Sequence, residues 1–142
     1  MSNYTDFIIQ ETVKLLNIDS PTGYTDDAAE FVLTELRALG YAPTKTRKGG
    51  VLVDLGGADA ENGVMLETHL DTLGGMVAEI KSNGRLRLTN IGGMNANNAE
   101  AENVRVVTKF DGKYEGTLQL TDASVHVNGD YSTTARAWEK ME

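Results

Sequence analysis

Cysteine is absent from this chain of 142 residues, and histidine occurs only as His69 and His126. The absence of cysteine excludes disulfide bonds, thiolate metal ligands and a cysteine nucleophile. Any chemistry that depends on an imidazole is therefore limited to two positions.

Long apolar runs and clustered basic residues are also missing. No apolar run reaches the roughly 18 residues that a membrane-spanning helix needs. Residues 1–6 have neither the basic start nor the apolar core of a secretory signal. Together with the lack of cysteine, these features favour a cytoplasmic location. The net charge of -8 argues against nucleic acid and anionic membranes as partners, because binding to phosphate needs clustered lysine and arginine.

Several enzyme signatures do not occur in the sequence. There is no phosphate-binding loop of the Gly-x-x-x-x-Gly-Lys type, no Gly-x-Ser-x-Gly elbow and no dinucleotide fingerprint. The composition, with 40% hydrophobic and 24% charged residues, is that of a globular chain. The length suits one modest domain or parts of two.

The first half of the chain has the pattern of an α/β unit. Helical periodicity predicts a helix over residues 4–17, which residues 20–23 (Ser-Pro-Thr-Gly) interrupt. A second helix is predicted from an N-cap at Thr25 to a C-cap glycine at Gly40. Residues 41–48 are polar and extended, and short apolar runs then predict strands over 51–55 and 63–69. The order helix, helix and strands is typical of an α/β fold built on part of a mixed sheet.

The second half of the chain is predicted to be antiparallel β structure. Two hairpins are indicated, with strands over 76–81 and 85–89 and over 104–110 and 114–120, each pair flanking a glycine-containing turn. Residues 133–142 match no strand or helix pattern. About four strands are too few to close a barrel alone, so we expect an incomplete, barrel-like β-domain over residues 76–142, after an α/β part over residues 1–75.

The predicted strand 63–69 ends in a His-x-Asp pair before a glycine-rich turn, which suits a metal site because a carboxylate can orient an imidazole ligand. Alternation along a strand would place Glu67, His69 and Asp71 on one face. From spacing alone, a purely structural hydrogen bond between His69 and Asp71 remains an alternative. Glu67 is a ligand, a base or a solvent-facing carboxylate. His126 is interpreted as a residue of the β-domain rather than a ligand.

A polar segment over residues 92–103 separates the two predicted hairpins. It either lines a substrate cleft or forms an ordinary solvated loop with asparagine turns.

Four segments in this order resemble the M42 family, the dinuclear-metal aminopeptidases related to glutamyl aminopeptidase and endoglucanase-like proteins. They are residues 20–23 (Ser-Pro-Thr-Gly), 48–50 (Lys-Gly-Gly), 69–74 (His-Leu-Asp-Thr-Leu-Gly) and 83–93, the last resembling the start of that family's inserted β-barrel domain. The resemblance runs from about residue 4 to the last residue.

The resemblance implies a role for each matching residue. His69 matches the first metal-binding histidine, and Asp71 matches the aspartate that orients it. The family site would hold two divalent ions, Zn²⁺ or Co²⁺, and hydrolyse N-terminal residues from peptides. Relatives assemble into hollow oligomers, so a homo-oligomer is expected.

The chain departs from the family in one respect. The bridging aspartate, the glutamate pair with the general base and the final histidine lie beyond the inserted domain in that family, and the 142 residues contain no match for them. We therefore expect the chain alone to lack a complete site and to be inactive. Two alternatives stay open: a non-catalytic assembly module that pairs through its β-domain, and a metal-dependent deacylase.

Overall fold

The computed structural model describes residues 3–142. The chain divides into two compact units, the first ending at Thr72 and the second running from Leu73 to Glu142. All strands in the described residues belong to three separate two-stranded antiparallel sheets. No helix in residues 3–142 is long and apolar enough to cross a membrane.

The first unit contains two helices, as the periodicity predicts. Helix α1 covers Asn3–Leu16 and helix α2 covers Asp26–Ala38. The buried face of α2 carries Ala28, Ala29 and Leu33, which are at most 4% exposed. Gly40 follows α2 with φ +90, a left-handed conformation that glycine adopts without steric cost. Thr25 precedes α2, but its side chain makes no capping hydrogen bond.

A short hairpin follows the helices. Strand β1 (Thr44–Lys45) pairs antiparallel with strand β2 (Val51–Leu52), so the predicted strand over 51–55 is shorter than expected. Lys45 Nζ lies 2.9 Å from Asp26 Oδ1 and 3.1 Å from Glu30 Oε1, which ties the hairpin to the start of α2.

The predicted strand over residues 63–69 is not formed. This segment has no strand partner in the described residues, and Val64, Met65 and Leu66 are 79–86% exposed. A strand needs a neighbour to pair its N–H and C=O groups, and no neighbour lies beside this segment within residues 3–142. The expected mixed sheet is therefore wrong for the described part. Parallel pairing in the described residues is limited to an isolated bridge between Pro21 and Thr72.

The second unit contains the two predicted hairpins. Strand β3 (Gly74–Ile80) pairs with β4 (Leu86–Ile91), with a bulge between Val77 and Glu79. Strand β5 (Asn103–Val107) pairs with β6 (Lys113–Thr117). Both hairpins are confirmed, but each remains a two-stranded sheet, and residues 73–142 form no closed barrel.

The end of the chain completes the core of the second unit. Residues 133–142, which matched no pattern, contain a short 3₁₀ helix (Trp138–Lys140), followed by Met141, which is 0% exposed. Met141 forms an antiparallel bridge with Leu120. The buried core consists of Ala96, Ala99, Leu118, Leu120 and Met141. A segment without sequence periodicity thus supplies a central core residue.

Glu142 carries a buried charge at the edge of this core. Its side chain is 1% exposed and accepts hydrogen bonds from Lys81 and Arg85. Burial by itself would raise the pKa of the Glu142 carboxyl, but the bonds from Lys81 and Arg85 outweigh burial and hold this pKa below its usual value.

We expect the second unit to lose stability in acid through Glu142. Because the folded-state pKa is lowered, the carboxylate stabilises the fold above its unfolded pKa, about 4.3. That contribution is lost as the pH falls through the folded pKa. Glu142→Gln should lower the free energy of unfolding by about 1–2 kcal/mol at pH 7. It should also make this free energy less dependent on pH in acid. Fluorescence of Trp138, the only tryptophan, reports on this unit during thermal melts.

Glu139→Gln is the matched control, because Glu139 is exposed and lies three residues earlier. It should leave the melting temperature and its pH dependence unchanged. Equal pH profiles for the wild-type chain and Glu142→Gln would contradict the role assigned to Glu142.

Ala101 is the one non-glycine residue in the described chain with a positive φ, at +67. An alanine in the left-handed region costs roughly 1–2 kcal/mol of stability. Glycine removes this cost, but part of the gain is lost because glycine raises the conformational entropy of the unfolded chain. Ala101→Gly should therefore stabilise the second unit by about 0.5–1 kcal/mol in denaturant melts followed by Trp138. Ala135→Gly, at an exposed alanine with negative φ, should destabilise it instead. A loss of stability in both variants would show that Ala101 is unstrained.

Candidate functional site

His69 and Asp71 are in direct contact. His69 Nδ1 lies 3.0 Å from Asp71 Oδ1 and 3.2 Å from the Asp71 carbonyl oxygen. A carboxylate and a carbonyl are both acceptors, so Nδ1 must carry the proton and donate it. In the neutral ring, Nε2 then has the free lone pair that a metal ligand needs. The His69 side chain is 84% exposed, which leaves the ring accessible.

The Asp71 carboxylate is held from its other side by Thr22. The Thr22 hydroxyl donates to Asp71 Oδ2 at 2.7 Å. This bond, followed by the one from His69, lowers the pKa of the Asp71 carboxyl. Each carboxylate oxygen therefore has one donor, and the ionised form is favoured.

A backbone junction brings residue 22 to residue 71. Thr72 N donates to Ser20 O at 2.9 Å, and the hydroxyl of Ser20 donates to Leu70 O at 2.8 Å. Ser20 is 3% exposed. A turn closed by Tyr24 N and Pro21 O (2.8 Å), with Gly23 at φ +90, presents Thr22 toward Asp71. Residues 20–23, which were predicted to break the helix and which carry part of the family resemblance, thus support the site.

The other candidate residues are placed differently. Glu67 is exposed, and no bond joins it to His69 or Asp71 in the described structure. Because residues 63–69 form no strand, the alternation that would have put Glu67 on the same face does not apply. His126 lies in the second unit, exposed in the turn that Val127 N and Ser124 O close at 3.1 Å.

The polar segment over residues 92–103 contains the 3₁₀ helix Ala96–Asn98. Asn95 caps this helix by accepting a hydrogen bond from Asn97 N at 3.0 Å. Ala96 and Ala99 contribute to the core, so part of the segment is structural.

The donor set fits one metal ligand but not a complete metal centre. His69 Nε2 is a suitable nitrogen donor, whereas Asp71 is already engaged by His69 and Thr22. Within residues 3–142 no three His, Cys, Asp or Glu side chains are grouped to hold an ion. A catalytic zinc site needs about three protein ligands, so further ligands would have to come from other polypeptide.

Thr22 is the site residue that sequence reasoning missed. Its segment was recognised, but the contact with Asp71 spans 49 positions, and no local periodicity encodes a pairing over that distance.

Comparison with known proteins identifies relatives by sequence. The model of the M42 glutamyl aminopeptidase family matches residues 49–142. The chain is 37% identical, over 129 residues, to the putative aminopeptidase YhfE of Bacillus subtilis (strain 168), a match that covers 91% of this chain and 37% of YhfE. It is 30% identical, over 83 residues, to glutamyl aminopeptidase of Lactococcus lactis subsp. cremoris (strain MG1363), covering 57% of this chain and 23% of that enzyme.

Solved structures share the fold. The aminopeptidase APDkam598 of the archaeon Desulfurococcus kamchatkensis aligns with a TM-score of 0.82 at 21% identity, over 98% of this chain and 37% of its own. PhTET1-12s, described as a dodecamer, aligns with a TM-score of 0.78 at 23% identity, over 99% of this chain and 38% of its own.

The chain thus spans well under half the length of each of these proteins. The family model nevertheless matches well over half of the chain, up to its last residue, and a curated relative is 37% identical. By these matches, the chain belongs to the M42 glutamyl aminopeptidase family.

Proposed function

We propose that this chain is the N-terminal part of a dinuclear-metal-dependent aminopeptidase that removes N-terminal residues from peptides. The observation that carries the proposal is the contact between His69 Nδ1 and Asp71, which leaves Nε2 open in a member of the M42 family. Asp71 would orient the ring and raise its basicity. The second unit would be part of a barrel-like inserted domain.

Two bound divalent ions, Zn²⁺ or Co²⁺, would supply Lewis-acid activation of the scissile carbonyl and of a water molecule. In this chain, His69 would hold one ion through Nε2, and Asp71 would keep the proton on Nδ1. The remaining ligands and the general base would come from polypeptide that corresponds to the rest of the relatives' length. The 142 residues alone would then be inactive.

Homo-oligomerisation is part of the proposal. PhTET1-12s is described as a dodecamer, and the exposed stretch of Val64, Met65 and Leu66 is apolar, which favours self-association. A cytoplasmic location is proposed from the absence of cysteine.

His69→Ala should abolish specific metal binding by the chain, because it removes the free Nε2. Zinc binding can be followed as the shift of the histidine ring signals in an NMR titration, in which the two histidines are easily told apart. His126→Ala is the matched control and should leave zinc binding intact. Equal zinc affinity of the wild-type and His69→Ala chains would show that the metal assignment of His69 is wrong.

A chimera tests the enzymatic part of the proposal. Residues 1–142 replace the matching segment of YhfE, and the hydrolysis of aminoacyl p-nitroanilides is measured with Zn²⁺ or Co²⁺ and with a chelator. We expect chelator-sensitive turnover in the chimera, none in its His69→Ala version, and none in the isolated 142-residue chain. Native YhfE serves as the positive control.

Other outcomes of the same assay favour the alternatives. A folded chimera that hydrolyses N-acetyl amino acids but not aminoacyl anilides would support a deacylase. A folded, inactive chimera beside an active YhfE would support a non-catalytic assembly module. Turnover by the isolated chain would refute the expectation that its site is incomplete.

A further inference from the structure

We propose that Thr22 is a positioning residue for the His69 imidazole, acting through the Asp71 carboxylate. Its hydroxyl fixes the plane of that carboxylate so that the ring proton stays on Nδ1 and Nε2 stays free. The use of Nε2 toward a metal rests on the proposed function, whereas the control of the ring tautomer does not.

The first argument is the lack of strand pairing in the segment that carries His69. Residues 63–69 have no strand partner in the described chain, so no sheet ladder fixes the direction of the imidazole. The ring nitrogen Nδ1 bonds only to Asp71 among the described residues. The orientation of His69 therefore depends on how firmly Asp71 is held.

The second argument concerns the carboxylate itself. The terminal torsion of an aspartate is broad, so a carboxylate bound through one oxygen can rotate about it. Asp71 is bound through both, Oδ1 to His69 at 3.0 Å and Oδ2 to Thr22 at 2.7 Å. The Thr22 bond is the shorter of the two, and it is the one that opposes rotation.

The third argument is that Thr22 is held by the same junction that fixes the backbone on both sides of Asp71. Ser20 on one side is buried and bonded to Leu70 and Thr72, and the turn closed by Tyr24 N and Pro21 O lies on the other. Proline restricts φ at position 21, and the β-branched side chain of threonine restricts χ1 at position 22. A stiff donor thus meets a carboxylate that would otherwise rotate.

Solvent exposure separates this role from a structural one. Thr22 and Asp71 are both exposed, with the Asp71 side chain at 42%, and water can replace the hydrogen bond when it is lost, so the net effect on stability is small. Removing the hydroxyl should therefore alter the tautomer of His69 while leaving the melting temperature nearly unchanged.

The experiment uses the full 142-residue chain with ¹⁵N-labelled histidine, without metal, at about pH 8.5, where an imidazole is neutral. Nitrogen shifts of the two rings give the tautomer of His69, with His126 as the internal reference. Thr22→Val replaces the hydroxyl with a methyl group of similar size, and Thr22→Ser restores the hydroxyl. Thr34→Val is the matched control, because it makes the same change at an exposed threonine of α2 whose hydroxyl bonds to Glu30 O and not to Asp71.

We expect the wild-type ring to be mainly protonated on Nδ1. Thr22→Val should at least double the share protonated on Nε2, and Thr22→Ser and Thr34→Val should retain the wild-type share. Asp71→Asn should have the largest effect, with a roughly 10–100-fold loss of zinc affinity. Thr22→Val should lose less zinc affinity than Asp71→Asn, roughly three- to tenfold.

Two results would overturn the proposal. One is an unchanged His69 tautomer in folded Thr22→Val, and the other is an equal shift in Thr34→Val, which would mean general loosening of the first unit. Thr22→Ala replaces Thr22→Val if the latter does not fold. A tautomer shift in Thr22→Val together with a folded but inactive YhfE chimera would keep the positioning role and refute the metalloenzyme proposal, so the two failures are distinguishable.

Discussion

The hydrogen bonds of Ser20 with Leu70 and Thr72 are the constraint on which the candidate site depends. They join a turn after the first helix to a segment that is some 50 positions later and has no strand partner in the described chain. The buried hydroxyl of Ser20 donates to the Leu70 carbonyl, and the Ser20 carbonyl accepts from the Thr72 amide, so the polar groups of the buried Ser20 are paired. Without these bonds, neither Thr22 nor Asp71 would have a fixed place.

The direction of each hydrogen bond at the site follows from which atoms can donate and which can only accept. An ionised Asp71 can only accept, so the hydroxyl of Thr22 and Nδ1 of His69 must both donate. The result is a polar chain of three side chains that ends in an open imidazole nitrogen. Under the proposed function it would provide one metal ligand, which agrees with a chain that spans 37% of its relative YhfE. The second unit has a core that closes around Met141, and Glu142 places a paired charge beside it.

Much of the local structure could be predicted because it is encoded locally. The helices followed from apolar residues at helical spacing, and both large hairpins followed from glycine-containing turns between alternating strands. The predicted strand over residues 63–69 was wrong for the opposite reason. An apolar run indicates burial only if something covers it, and within the described residues nothing pairs with Val64, Met65 or Leu66. Met141 is the opposite case. It is buried, although no pattern in the residues next to it in the sequence predicts burial.

The sequence alone determined the pair His69 and Asp71, because two positions of separation suffice for their side chains to meet even without a strand. It also determined the family, through the order of four short segments. Only the tertiary structure decided that Thr22 also bonds to Asp71, that Glu67 does not, and that the ring faces Asp71 through Nδ1. The physical reason is separation along the chain: the contact between His69 and Asp71 spans two positions, whereas the bond between Thr22 and Asp71 spans 49, and no local pattern encodes a pairing over that distance.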